Sequence, residues 1–144
     1  MAASYNKFEQ FVKDLAEKVH DLSADTIECY LSNAAPSTSA DSVKADLAEI
    51  TLENGYAAPQ DTQNTGAEAT GTYTLTGTKI VITASGGTIG EFRYVVLQNT
   101  TPSSPLDPLI AWWDRGSGLT LQDGESFSIK FNSSNTTGTI FTLA

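Results

Sequence analysis

The chain has one cysteine, Cys29, one histidine, His20, and one methionine in 144 residues. A lone thiol cannot close an internal disulfide, so a disulfide-stapled scaffold is excluded. One imidazole and one thiol cannot build a tetrahedral zinc site without carboxylates at ligand spacing, and none cluster in the sequence. Cations are scarce as well: eight Lys and Arg stand against seventeen Asp and Glu, a net charge of −9. They form no basic run, which argues against a nucleic-acid partner held through its phosphates. No apolar run approaches the roughly 18 residues of a membrane span, and the opening MAASYNKFEQ lacks an apolar signal core. The expectation is a protein made and folded in a cytoplasm, with no membrane partner. No G-x-S-x-G element and no phosphate-binding loop occur.

Charged residues make up 17% of the chain, below the usual share of about 25%. Ser, Thr, Gly and Asn fill the difference, a composition that suits strands and turns. The length fits a single domain spanning residues 1–144. Acidic excess is concentrated early: residues 1–56 carry ten acids against four Lys, and the rest seven acids against four Lys or Arg.

One helical pattern stands out. Phe8, Phe11, Val12, Leu15, Val19 and Leu22 form one stripe and predict a helix over residues 6–22. Asn6 and Glu9 have capping-box spacing, and Asp14 and Lys18 an i,i+4 spacing. The stripe must pack on the sheet of the same chain or on a neighbouring subunit. Residues 26–32 alternate like a half-buried strand, with Cys29 inward. Asp41 can cap a short helix carrying Val43, Leu47 and Ile50 on one face. Residues 51–68 are polar and punctuated, and predict a long surface loop that contact with a partner would order.

The β-rich body runs over residues 26–144. A hairpin around Gly77 is expected to join residues 70–76 and 78–84. Residues 92–99 and 109–114 are apolar on both sides, as strands covered on both faces are. The N-terminal stripe is a candidate cover for one of those faces. Residues 119–121 and 127–131 flank Asp123-Gly124, a two-residue hairpin signal. In residues 127–131, Phe127, Ile129 and Phe131 alternate with polar neighbours, so one face is wet. A last strand is expected at residues 139–143. The fold class expected is mainly β with an N-terminal α-helix: an antiparallel β-sandwich or partly open barrel of about eight short strands.

Candidates for chemistry are few. His20 falls at the expected helix end, where a protonated ring would meet the helix dipole. A His20–Cys29 nucleophile pair needs an exposed thiol, whereas Cys29 faces inward. Glu91, Asp107 and Asp114 are the acids nearest the apolar strands. They suit a carboxylate pair only at the right separation, and Asp114 has Arg93 or Arg115 as alternative partners. Trp112 and Trp113 point to opposite faces of one strand. One faces the core; the other meets the helix, another sheet, a partner subunit or a sugar. Sequons start at Asn99, Asn132 and Asn135, without an accompanying secretion signal. No catalytic residue, metal ligand or cofactor is assigned. The candidate interface residues are Trp112, Trp113, Phe8, Phe11 and Tyr56.

Several segments carry a resemblance. YNKFEQFVKDLAEKVHDL is followed by a strand and an Asn-x-Ala-Pro loop from Asn33 to Pro36. Then come ITASGG, the FRYVVLQN strand and PLIAWWDRGSGLTLQDGESFSIKF. Together they resemble small virion structural proteins of tailed bacteriophages, over nearly the whole chain and least at residues 51–68. The resemblance implies a non-enzymatic virion component, made in the host bacterial cytoplasm. It implies a capsid decoration (cement) protein that binds the major capsid protein or other virion subunits as a homo-oligomer. The alternative is a tail- or fibre-associated domain binding a host surface glycan through an exposed Trp. A small hydrolase using Glu91 or Asp114 is a third, weaker expectation.

Overall fold

The computed structural model describes residues 3–132 and 136–144. Along the chain run β1 (Asn6–Lys7), α1 (Glu9–Ala16), β2 (Ile27–Ser32), β3 (Gln60–Asp61), β4 (Thr65–Ala69) and β5 (Thr72–Gly77). Then follow β6 (Ile80–Thr83), β7 (Ile89–Asn99), β8 (Leu109–Leu121), β9 (Ser126–Ile129) and β10 (Gly138–Leu143). All pairings among the described residues are antiparallel, and no barrel closes. The mainly β, sandwich-like class expected from the sequence is what forms, with about ten strands in place of about eight.

The first layer is a five-stranded sheet in the order β1-β8-β7-β2-β3. β7 lies at its centre, with Val96 opposite Tyr30 on one side and Trp112 on the other. Val95 and Leu97 turn toward the main core, together with Cys29, Leu31 and Ala111. Val96 turns to the opposite face and packs with Phe8, Tyr30, Leu47 and Leu109. Burial on both faces explains why residues 92–99 do not alternate. β2 corrects its pattern, since Tyr30 and Ser32, on the side expected to be wet, are fully buried. Hydrogen bonds make that burial tolerable. The Tyr30 hydroxyl donates to the Leu47 carbonyl at 2.9 Å and the Ser32 hydroxyl to the Ala48 carbonyl at 2.6 Å.

The second layer is a ribbon. Along Tyr73, Gly77, Ile80 and Thr83 the partners are Leu143, Gly138, Ile129 and Ser126. β10, β5 and β4 form a three-stranded sheet, β6 and β9 a separate two-stranded one, and β5 leads into β6 across Thr78 and Lys79. β4 pairs with the outer side of β5. The return at Gly138 is tight: a Cβ there would lie 2.5 Å from the Phe131 carbonyl oxygen. Leu75, Ile82, Ile129 and Phe141 bring this layer into the main core.

Several local expectations are corrected. The helix is confined to Glu9–Ala16 because residues 6 and 7 are drawn into pairing with β8 and Lys18 turns to φ +67°. The Val19 N–H then bonds the Asp14 carbonyl at 2.8 Å and closes the end. Asn6 donates to the Ser4 and Trp112 carbonyls instead of capping, and Lys13 pairs with Glu17 at 3.6 Å. The stripe splits: Phe11 and Leu22 enter the main core, Phe8 the opposite face, and Val12 is exposed. Apart from Phe8, the segment carrying Leu47 covers that opposite face. The short helix expected after Asp41 is one 3₁₀ turn at Lys44–Asp46, with the Asp46 carboxylate accepting from the Ser42 and Val43 N–H groups.

Residues 51–68 contain β3 and all of β4 but its last residue, and do not form one surface loop. Gly77 joins β5 to β6 in line, and the hairpin forms instead at Thr70-Gly71, both at positive φ. A turn does form at Asp123-Gly124, but β9 beyond it pairs with β6 and Leu121 before it with Ile89. Residues 109–114 and 119–121 are one strand whose register slips between Asp114 and Leu119, opposite Tyr94 and Phe92. The expected turn at residues 132–138 and the Asn135 sequon fall partly outside the described residues.

One side of the sandwich is stitched. Thr62 gives both its N–H and its hydroxyl to the Ile27 carbonyl, at 3.0 and 2.8 Å, and its own carbonyl accepts from the Thr78 N–H at 2.8 Å. The β2 edge beyond β3 is sealed by Tyr56, whose hydroxyl accepts from the Leu31 N–H at 2.9 Å and donates to Glu49 at 2.7 Å. Glu49 in turn pairs with Lys44 at 2.6 Å. Tyr56→Phe leaves a buried strand N–H without its acceptor, so an expected loss of about 1–3 kcal/mol should appear in urea unfolding, while Tyr5→Phe should cost less.

Candidate binding cleft at the open seam

The side opposite Thr62 is open. β1 pairs with β8 at Ala111 and Trp112, the Phe8 N–H bonds the Ile110 carbonyl at 3.1 Å, and Ala3, Ser4 and Tyr5 line the cleft; among the described residues no strand pairs with the β8 edge from Trp113 on. Among the described residues β9 pairs only with β6 and β10 only with β5, so no strand pairs with their outer edges either. Between these edges lies a cleft of about 950 Å³. Consecutive residues line it, Trp113 to Gly116 on one bank and Phe127 to Asn132 on the other. Neighbours on a strand point to opposite faces, so Trp113 to Gly116 of β8 and Phe127 to Ile129 of β9 present strand edges, and Lys130 to Asn132 continue the second bank beyond the strand.

The lining is aromatic. The Tyr5 ring meets Trp113 edge-on at 5.7 Å, and Trp113 meets Phe131 at 6.4 Å. Tyr5 keeps 37% of its surface, yet desolvation pushes its phenol up to about 12, so it stays a neutral donor. Arg115 and Lys130 line the cleft, are exposed, and have no ion-pair partner among the described residues, though Arg115 donates to the Ser117 carbonyl and hydroxyl at 3.1 Å each. Asp114 is engaged: the Arg93 guanidinium donates to both its oxygens, at 2.8 and 2.9 Å, and the Gly116 N–H adds a third bond at 2.7 Å. These bonds, led by that from Arg93, hold its carboxyl below the usual range.

The residues proposed from sequence scatter. Trp113 lines the cleft; Trp112 lies on the opposite face of the sheet, edge-on to Tyr94 at 6.0 Å. Phe8, Phe11 and Tyr56, candidates for an interface, are buried within the chain, so their surfaces are already covered. Glu91 accepts from the Asn33 amide and does not line the cleft. Cys29 is buried, and burial pushes its thiol far above the ordinary range. Among the described residues no group of three His, Cys, Asp or Glu is placed to hold a metal ion. Tyr5, Phe127, Phe131, Arg115 and Lys130 went unrecognised in the sequence because three separate segments bring them together. No family model, no curated protein and no solved structure matches this chain.

His20 is corrected most. It lies beyond α1 and is 6% exposed, with Nδ1 3.0 Å from the Asn99 amide nitrogen and its ring 5.1 Å from Phe11. That amide donates to Asp25 at 2.6 Å, so Nδ1 is an acceptor and the proton of the neutral ring sits on Nε2. Asn99, first residue of a sequon, is fully buried. Desolvation lowers the His20 pKa, and the charges of Asp14 and Asp25 oppose it less strongly. A neutral ring in the fold means that, below the ordinary value of about 6.5, the unfolded chain takes the proton first. Stability then falls with pH until the folded value is passed. Wild type should lose more stability than His20→Gln between about pH 7.5 and 5.5 in urea titrations; equal losses would show that His20 does not contribute.

Proposed function

We propose that this chain is a non-catalytic structural component of a tailed-phage virion, in particular a capsid decoration protein that binds the major capsid protein. Its place is the virion, as one of many copies, and it works by covering surface between subunits. The open seam is the observation that carries this reading. Free strand edges beside an aromatic cleft form a surface that gains from being covered, and the phage-like segments PLIAWWDRGSG and ESFSIKF supply both of its banks. Many modest contacts repeated over a shell stabilise it, because each binds only the assembled state.

A second reading is favoured by Trp113 alone: as a ring lining a cleft, it suits stacking on a host surface glycan in a tail or fibre protein. Trp112, on the opposite face, does not share that role. Quantitative mass spectrometry of purified virions that carry the chain separates the placements. Decoration requires hundreds of copies per particle. A count of roughly six or twelve, as in a closed ring, moves the chain to the neck or tail. Glycan-array binding lost in Trp113→Ala and kept in Trp112→Ala would favour the second reading.

A further inference from the structure

We propose that the open seam receives an extended segment of a partner protein, laid as an added strand between the free edges of β8 and β9 and carrying a carboxylate to Arg115 and Lys130. This rests on reading the seam as a docking surface and specifies the chemistry of the guest.

The backbone argues for a strand. From Trp113 on β8 and along β9 no outward backbone group has a ladder partner among the described residues, although the Gly116 N–H is taken by the Asp114 carboxylate at 2.7 Å and the Ser117 carbonyl accepts from Arg115 at 3.1 Å. Such edges bind extended peptide through main-chain hydrogen bonds, and side-chain pockets supply selectivity. β1 already adds to the edge of β8 in this manner, two residues long, Asn6 opposite Trp112 and Lys7 opposite Ala111. The size agrees. A strand residue inside a sandwich fills about 3.4 Å × 4.8 Å × 10 Å, or roughly 160 Å³, so a cleft of about 950 Å³ holds about six of them. β9, the shorter border, has four residues, so about four of the six would face its edge.

Side chains set the rest. Trp113, Phe127 and Phe131 offer apolar contact to alternate residues of the guest. Among the described residues Asp114 is the one acid that lines the cleft, and Arg93 neutralises it. Arg115 and Lys130 therefore make the groove locally cationic on a molecule of net charge −9. That contrast selects an acidic guest, whereas a basic segment would meet like charge.

The test uses the full purified chain, fluorescently labelled, on an array of short peptides that alternate apolar and polar residues. Three matched sets carry Asp and Glu, Lys and Arg, or neutral residues at the polar positions. The expected result is binding to the acidic set at least about tenfold tighter than to the basic set, weakening with salt. Backbone N-methylation of the bound peptides should abolish it, because a methylated amide cannot join a ladder. The double variant Arg115→Glu, Lys130→Glu changes exposed residues only and should reverse the charge preference. Equal binding to the acidic and basic sets, no binding to any set, or indifference to N-methylation overturns the proposal. So does retention of acidic oligosaccharides on a parallel array without peptide binding. The experiment needs no virion: peptide binding by a chain absent from virions would sink the decoration reading and leave this one standing, and the converse pair of results would do the opposite.

Discussion

Burial of β7 on both faces is the constraint from which the rest of the fold follows. A strand with Val95 and Leu97 on one side and Val96 on the other must be covered twice. The ribbon of β5, β6, β9 and β10 covers the first side with one continuous core. The second side has no sheet to cover it. Residues 33–50 fold back over it, held by Leu47, by the Tyr30 hydroxyl bond and by Lys44 above the Tyr30 ring at 5.2 Å. A polar, irregular segment can serve there because its buried carbonyls find side-chain hydroxyl donors.

The same demand explains what was legible in the sequence. Strands whose identity is set by their own side chains were visible: residues 92–99, the inward Cys29 of β2, and the alternation of Phe127 and Ile129 all express burial directly. Pairing was not. Asp123-Gly124 specifies a turn, but nothing local says whether the next strand returns to the same sheet. Gly77 reads as a turn, although its lack of a side chain serves the close approach of Ile140 and Phe131. The helix was overestimated because hydrophobic spacing continues through Val19 and Leu22, while the left-handed turn at Lys18 answers to the docking of residues 20–22. Tyr56 stood out in its polar surroundings as a candidate for an interface, but its role is internal, one hydroxyl on a strand N–H. The cleft was least visible of all. Apart from Trp113, its residues are unremarkable in their own segments and gain meaning only from being brought together.

Charge and shape divide along the same line. Acids outnumber cations over the molecule, yet the open seam presents two cations and an acid already satisfied. The closed side does the opposite work. Thr62 and Tyr56 spend their polar groups on backbone atoms of the sheet and leave little there for a partner to bind.

The Thr62 stitch also has a mechanical consequence. Backbone hydrogen bonds join the two layers along that side, whereas along the other they meet through rings, Tyr5 on Phe141 at 5.9 Å and Trp113 on Phe131 at 6.4 Å. Hydrogen bonds hold their partners to a narrow range of distance and angle, and ring contacts tolerate a wider one. The spacing of the layers is therefore held more tightly at Thr62 than at the aromatic margin.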